Sequence, residues 1–382
     1  MRLPEMLNAS QAAPATPAGS TRHGLLGRIP HLSNIVLAGG MLMLTFAVAA
    51  ASRLPVRDPD AVVAYRSRIF IIAVGLALFP IIDVIVRAGG RVGWRKGRMW
   101  EEMKAVRRER WDRRRMLIAV SAVVSFYITY FAYRNLKSFL PVLREATFDS
   151  TLLHLDHTLL GGNDPAVLLH DVLGTGIAGQ VLSYVYLMYL TFVPISVVAA
   201  VAWSRRVAAG VWYVTAVNVN WVLGLLSYYL VPSLGPVFVD PPLADQMPVT
   251  QVWNLQQLLL VDRVRFLADP AGSGAIQSIA GFASLHVSVL FSAALMAHLL
   301  RVWRPVRVAM WVLLGLTTFA TIYFGWHYLI DDVAGLAIGG ASVWLAGVAT
   351  GWRGLPGRRQ MASGRAKAPP GGLARVEAGA TP

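Results

Sequence analysis

The chain contains no cysteine and few charged residues, since Asp, Glu, Lys and Arg make up only 14% of its 382 residues. The lack of cysteine excludes disulfides, thiolate metal sites and cysteine nucleophiles. A soluble domain of this length normally carries about a quarter charged residues. The shortage of charge, with 55% hydrophobic residues and a mean hydropathy of +0.53, indicates an integral membrane protein.

Apolar runs of about 18 or more residues, long enough to cross a bilayer as helices, recur along the sequence. They predict an all-α, polytopic transmembrane helix bundle of about eight spans. The spans lie near 33–52, 69–87, 116–133, 177–202, 207–231, 282–300, 308–325 and 331–350. We expect four parts: a disordered N-terminus (1–32), two transmembrane helices with a basic loop (33–115), a core (116–350) and a basic, disordered tail (351–382).

The net charge of +15 lies mostly in segments next to apolar spans, which favours membrane orientation over nucleic-acid binding. Segment 91–115 holds eleven Lys/Arg against four acids and is predicted to be cytoplasmic by the positive-inside rule. Alternation then places both termini in the cytoplasm and the long loops 134–176 and 232–280 outside. Loop 53–68 does not follow the positive-inside rule, because it carries four arginines on the predicted outer side. Frequent Arg, Ala and Gly favour a bacterial plasma membrane.

Three ionisable residues gather at the predicted outer surface, where such groups are costly and tend to be functional. His286 opens the sixth span, His327 closes the seventh and Asp331 opens the eighth. His327 and Asp331 are four residues apart, so on a helical turn they share a face. The carboxylate would fix the imidazole tautomer and leave the other nitrogen as base or nucleophile, while His286 would act as an acid. The alternative is that both histidines bond to backbone at the interface.

At these residues the sequence resembles a known family. "ASLHVS", followed about 40 residues later by "YFGWHYLIDDVAG", resembles the second and third motifs of the type 2 phosphatidic-acid phosphatase superfamily. The closest resemblance is to its inositol phosphorylceramide synthase-like branch, and "VPSLGP" resembles the proline-rich stretch before the second motif. The resemblance implies a six-helix core at 116–350 and phosphoryl chemistry through a phosphohistidine, without metal or cofactor. It makes His327 the nucleophile, Asp331 its orienting partner and His286 the acid, with Ser284 holding the phosphoryl group.

The sequence also departs from the superfamily pattern. Thr321 stands where the phosphatases place an arginine that clamps phosphate. Lys137 and Arg144 are a candidate first motif, although Glu145 follows instead of proline. A phosphoryl dianion needs cations. We therefore predict that Arg134 and Lys137, about one helical turn apart beyond the third span, bind it; the alternative is that both extend to lipid headgroups.

Four further features are interpreted as follows, two of them with an alternative. The segment "HLDHTLLGGNDPAVLLHD" (154–171) is rich in His and Asp, but its spacing fits an amphipathic interfacial helix better than a zinc site. Asp83, within an apolar span, is a proton relay or the partner of a neighbouring helix. Gly335 and Gly339 have the spacing of close helix packing. Asp332 is predicted to cap the eighth helix.

The sequence therefore predicts a membrane enzyme that acts on lipid phosphates or phospholipid headgroups at the outer face. Water as acceptor would make it a phosphatase, and an alcohol, such as inositol, a sugar or another lipid, would make it a transferase. Membrane lipids are the expected partners, and nucleic acid is not. The alternatives are a transporter or flippase, which would need ionisable groups near the middle of its spans, and a catalytically inactive scaffold.

Overall fold

A computed structural model describes residues 31–59, 67–204 and 206–351, and within them the regular structure is helical. We number the helices in chain order. They are α1 (Leu32–Ser52), α2 (Ser67–Val92), α3 (Lys96–Arg110), α4 (Arg113–Leu143), α5 (Asp149–Leu159), α6 (Pro165–Leu173), α7 (Ile177–Trp203), α8 (Val207–Leu230), α9 (Pro236–Val239), α10 (Pro241–Asp245), α11 (Gln251–Ala268), α12 (Leu285–Leu299), α13 (Arg304–Tyr323) and α14 (Leu329–Ala349).

Seven of the described helices are long and apolar enough to cross a bilayer, which confirms the predicted polytopic helix bundle. They are α1, α2, α4, α7, α8, α13 and α14. The predicted sixth span forms α12, which has 15 residues and is shorter than the others. The predicted third span ended at 133, but α4 runs ten residues farther, to Leu143, and carries Arg134 and Lys137 within the helix.

Helix α8 is the centre of the bundle and packs against α1, α4, α7, α12 and α14. Polar side chains connect it to its neighbours inside the apolar core. Asn218 donates to Asn34 of α1 at 3.1 Å, and Asn220 donates to Ser292 of α12 at 3.0 Å. Such hydrogen bonds join helices where burial of apolar surface gives no preference for protein over lipid.

Helices α12 and α14 pack closely because two glycines face backbone at their contact. A Cβ at Gly335 would lie 2.5 Å from the Ser284 carbonyl oxygen, and one at Gly339 would lie 2.6 Å from that of Ser288. This contact is the one that the glycine spacing predicted. It brings the starts of α12 and α14 together, and the Ser284 amide donates to the Asp331 carbonyl at 3.0 Å.

Asp83 holds the basic helix α3 against the end of the bundle. Its carboxylate accepts from Arg87 at 2.7 Å, from Arg110 at 2.5 Å and from Trp111 at 3.2 Å. Of the two roles considered for Asp83, these contacts make it the partner of a neighbouring helix. Asp83 therefore gives the transporter alternative no support.

At the opposite end, the long loops fold into helices over the bundle, with α5 and α6 in the first loop and α9, α10 and the longer α11 in the second. Arg57, in the loop that disagreed with the positive-inside rule, is used structurally there. Its guanidinium donates to the carbonyls of Ala271 and Ala275, both at 2.8 Å, and its amide donates to Asn135 at 2.8 Å. The disorder predicted for 1–32 and 351–382 lies almost wholly outside the described residues.

Candidate active site

His327 is held by a carboxylate at the start of α14. Its Nδ1 lies 3.3 Å from Asp331 Oδ2, and both side chains are buried. The same carboxylate oxygen accepts the Tyr328 amide at 3.1 Å and so caps the helix. With the proton on Nδ1, the tautomer this contact favours, Nε2 is left with a free lone pair. The predicted capping hydrogen bond therefore comes from Asp331, although Asp332 also lies in the first turn.

His286, in the first turn of α12, is positioned by aromatic rings. Its imidazole stacks on Tyr186 with centroids 4.6 Å apart and lies 4.3 Å from Tyr189, both on α7. The ring lies 6.0 Å from that of His327, edge to face. Its Nε2 is buried, and no described residue offers that atom a hydrogen bond. The two imidazoles therefore differ, because one is oriented by a carboxylate and the other has a ring nitrogen available for a ligand.

Both histidines line one cavity of about 140 Å³ between α4, α7 and the starts of α12 and α14. Arg134 and Lys137 line its α4 side, so the structure brings these predicted cations to the histidines. Arg134 donates to Ser278 at 2.8 Å, and the Lys137 ammonium lies 4.7 Å from the centroid of the Tyr228 ring. Lys137 is buried rather than extended toward lipid headgroups.

Two predicted substrate-binding residues lie elsewhere. Arg144 is exposed at the C-terminal cap of α4 and does not line this cavity. Ser284 is buried as the N-cap of α12 and accepts the Val287 amide at 3.5 Å. Its hydroxyl also bonds to Asp332, which accepts from Thr321 at 3.0 Å. Thr321, at the position of the missing arginine, thus contacts Asp332 between helices and does not line the cavity.

Asp149, at the start of α5, connects two loops beside the histidines. It accepts the amides of Leu234 at 2.9 Å and Gly235 at 3.1 Å, and the Tyr328 hydroxyl at 3.0 Å. Burial raises the pKa of Tyr328 well above its usual value, so the phenol stays a donor. Gly235, with φ +106°, approaches the Trp326 carbonyl so closely that a Cβ would lie 2.3 Å from it. The "VPSLGP" loop thereby holds the segment that carries His327.

Asp156, two helical turns farther along α5, supports the next residue of the same segment. It accepts the Leu329 amide at 3.1 Å and is fully buried. Burial raises its pKa to about 6, above the ordinary 3.8. Sequence reasoning missed both acids as site residues, since it placed Asp156 only within a His- and Asp-rich segment. The two acids lie seven residues apart, on the same face of a short amphipathic helix, and this spacing is the sequence signal that could have found them.

Two histidines of segment 154–171 have partners of their own. His157 Nε2 lies 2.9 Å from Asp164, and His170 Nε2 lies 2.9 Å from the Tyr323 carbonyl oxygen. Burial lowers the pKa of His170. Within the described ranges, no group of three or more His, Cys, Asp or Glu side chains is placed to hold a metal ion. The segment therefore packs α5 and α6 against the loops around the cavity.

Comparison with known proteins identifies the family. The model of the PAP2 superfamily matches residues 150–345, just over half of the chain. The match contains His286, His327 and Asp331, whereas α4, with Arg134 and Lys137, precedes it. No curated protein and no solved structure matches the chain. Because the family model covers more than half of its residues, this membrane protein belongs to the PAP2 superfamily and is a phosphatase-type enzyme, with activity on phosphate esters.

Proposed function

We propose that the protein transfers a phosphoryl-type group from a lipid phosphate or a phospholipid through a phosphohistidine at His327. The observation that carries this proposal is the pairing of His327 and His286 in one cavity with Lys137 and Arg134 on its wall. Nucleophile, acid and cations are the three parts that metal-independent phosphoryl transfer needs. The contact with Asp331 leaves Nε2 of His327 as the attacking atom.

In the first step, the Nε2 lone pair of His327 attacks phosphorus and the bond from phosphorus to the leaving oxygen breaks. Protonated His286 gives its proton to that oxygen, so the departing group leaves as a neutral alcohol. In the second step, His286 takes a proton from water or from an acceptor alcohol, whose oxygen attacks phosphorus and releases His327. Lys137 and Arg134 offset the negative charge on the phosphoryl oxygens throughout.

An apolar cavity next to the histidines supports a lipid donor. It has a volume of about 50 Å³, lies between α4, α7 and α2, and shares Tyr130, Tyr189, Leu190 and Trp221 with the histidine cavity. The first methylene groups of an alkyl chain that enters between α4 and α7 would occupy this cavity, while its phosphate reaches His327. The arrangement suits an amphiphile whose reacting group lies at the membrane surface.

The motif variants "SLH" and "HYLID" favour transfer to an alcohol, with inositol as the first acceptor to test, and hydrolysis is the other outcome. We place the site on the extracytoplasmic side. The reason is that the basic helix α3 precedes the first turn of α4, whereas Lys137 lies near its other end. The inactive-scaffold alternative rests on Thr321. It is opposed by the cations that α4 brings to the histidines.

The test uses purified protein in detergent with radiolabelled lipid phosphate and with phospholipid labelled in its headgroup phosphate. Free phosphate and new phosphorylated lipids are followed with and without inositol, against His327→Gln as the control. An acid-labile, alkali-stable phosphoenzyme in the wild type, absent from His327→Gln, would support the phosphohistidine. Equal turnover of every substrate by wild type and His327→Gln would overturn the proposal.

A further inference from the structure

A second and larger cavity lies at the other end of the bundle. Its volume is about 530 Å³, within the range of about 300–1,000 Å³ typical of ligand sites. Helices α2, α3, α4 and α7 form its walls. Met116 at this cavity and Lys137 at the histidines are both on α4, and 21 residues of helix separate them by about 30 Å. The two cavities thus lie near opposite membrane surfaces.

The walls of this cavity divide into an apolar part and a basic part. Residues of α2, α4 and α7, such as Ala77, Val120 and Val198, give the apolar part. Lys104 and Arg107, one turn apart on α3, line the basic part together with Trp100. A basic pocket beside apolar helix faces at the membrane surface is the arrangement that binds anionic lipid headgroups.

The carboxylates near the cavity are already engaged by cations. Glu102 and Glu109 each accept from Arg91 at 2.8 Å, and Glu101 accepts from Lys104 at 3.1 Å. In the described part of the chain, no carboxylate lies within ion-pair distance of Arg107. The Lys104 ammonium lies 5.3 Å from the centroid of the exposed Trp100 ring. Lys104, Arg107 and Glu101 together therefore carry a net positive charge at the basic part of the cavity.

We propose that this cavity binds one anionic glycerophospholipid of the surrounding leaflet, with its phosphodiester at Lys104 and Arg107 and an acyl chain along α2, α4 and α7. The occupant follows from charge complementarity and from the lateral position of the cavity. Ile81 and Val120, which line it, are also about half exposed on the faces of α2 and α4, so the chain enters from the bilayer. This binding is independent of the reaction at His327.

The experiment is native mass spectrometry of the purified full chain, titrated with phosphatidylglycerol or with phosphatidylcholine of the same acyl chains. We expect one phosphatidylglycerol per protein, bound about tenfold or more tightly than phosphatidylcholine. Lys104→Gln/Arg107→Gln should remove this preference. Ala77→Phe, which fills the apolar part without changing charge, should weaken binding of the bound lipid.

The matched control is Arg98→Gln/Arg108→Gln, which makes the same charge change on exposed positions of α3 that do not line the cavity. It should keep the preference for phosphatidylglycerol. Equal loss in both double variants would mean that α3 attracts anionic lipid through its overall charge, and would overturn the proposed site. Equal binding of the two lipids by the wild type would also overturn it.

Discussion

The imidazole of His286 lies edge to face with that of His327, with ring centroids 6.0 Å apart and an angle of 61° between the ring planes. Asp331 contacts only the second ring, at 3.3 Å from His327 Nδ1. A nucleophile benefits from a fixed tautomer, whereas an acid needs a proton and an approach to the leaving oxygen. This difference in contacts is the reason for proposing different roles for two chemically identical side chains.

The division of roles predicts different effects of leaving group in the two histidine variants. His286→Gln should lower turnover of an alkyl phosphate by about 10²–10⁴-fold, because the departing alkoxide needs a proton. Its effect on the first step with p-nitrophenyl phosphate, the phosphorylation of His327, should be much smaller, since nitrophenolate leaves without a proton. The second step, in which His286 takes a proton from water, should slow alike for both substrates. His327→Gln should lose both activities. Pre-steady-state rates of phosphoenzyme formation on the two substrates decide this, and an equal loss of this first step on both in His286→Gln would contradict the acid role.

The position of the cations predicts that Lys137→Gln and Arg134→Gln each lower kcat/KM by about 10²–10³-fold, the usual effect of removing one stabilising group from a transition state. Arg144→Gln should change kcat/KM little, because Arg144 is exposed away from the cavity. Each variant is compared with the wild type in rate and in thermal unfolding. A large loss in Arg144→Gln would instead support the sequence motif of Lys137 and Arg144 over the observed cavity. Full activity in Lys137→Gln would contradict both.

The span positions were predictable because each depends on a local apolar run. The contact of His327 with Asp331 was equally predictable, since two residues four apart at a helix end lie on the same face. The extension of α4 to Leu143 could not be predicted, because Arg134 and Lys137 interrupt the apolar pattern. Burial of Lys137 against Tyr228 depends on a helix 91 residues away, which no local pattern reports.

The roles of Asp149 and Asp156 could not be predicted for a related reason. Asp149 accepts a hydrogen bond from Tyr328, and Asp156 accepts one from Leu329. Each donor lies more than 170 residues later in the chain. Three of the groups they bind are the backbone amides of Leu234, Gly235 and Leu329, and an amide leaves no trace in side-chain composition. A cluster of His and Asp in the sequence therefore indicated that polar contacts exist, without indicating that they hold the active-site segment.

Close packing of α12 on α14 predicts a strong effect of one glycine and a weak effect of its neighbour. A Cβ at Gly339 would lie 2.6 Å from the Ser288 carbonyl oxygen, whereas one at Gly340 would lie 3.6 Å from the Phe291 ring. Gly339→Ala should destabilise the protein by about 1–3 kcal/mol through overpacking, and Gly340→Ala should not. Thermal unfolding in detergent measures both, and equal melting temperatures for the two variants would contradict this contact.

Burial of Asp156 predicts how stability depends on pH. Its pKa is about 6 in the folded protein and 3.8 as the ordinary value, so between these pH values the folded state holds a proton that the unfolded state has released. The free energy of unfolding therefore includes a contribution that is present below pH 4 and is lost as the pH rises through 6. The wild type should lose stability over this interval relative to Asp156→Asn, which cannot ionise.

The comparison needs a control, since other groups also titrate between pH 4 and pH 7. Asp171→Asn, on an exposed position of α6, removes the same charge and should leave the pH dependence of the wild type unchanged. Melting temperatures of the three detergent-solubilised proteins are measured across the interval. If the melting temperatures of wild type and Asp156→Asn change in parallel with pH, Asp156 has the same pKa in the folded and unfolded states. That result would contradict the burial of Asp156 against the Leu329 amide.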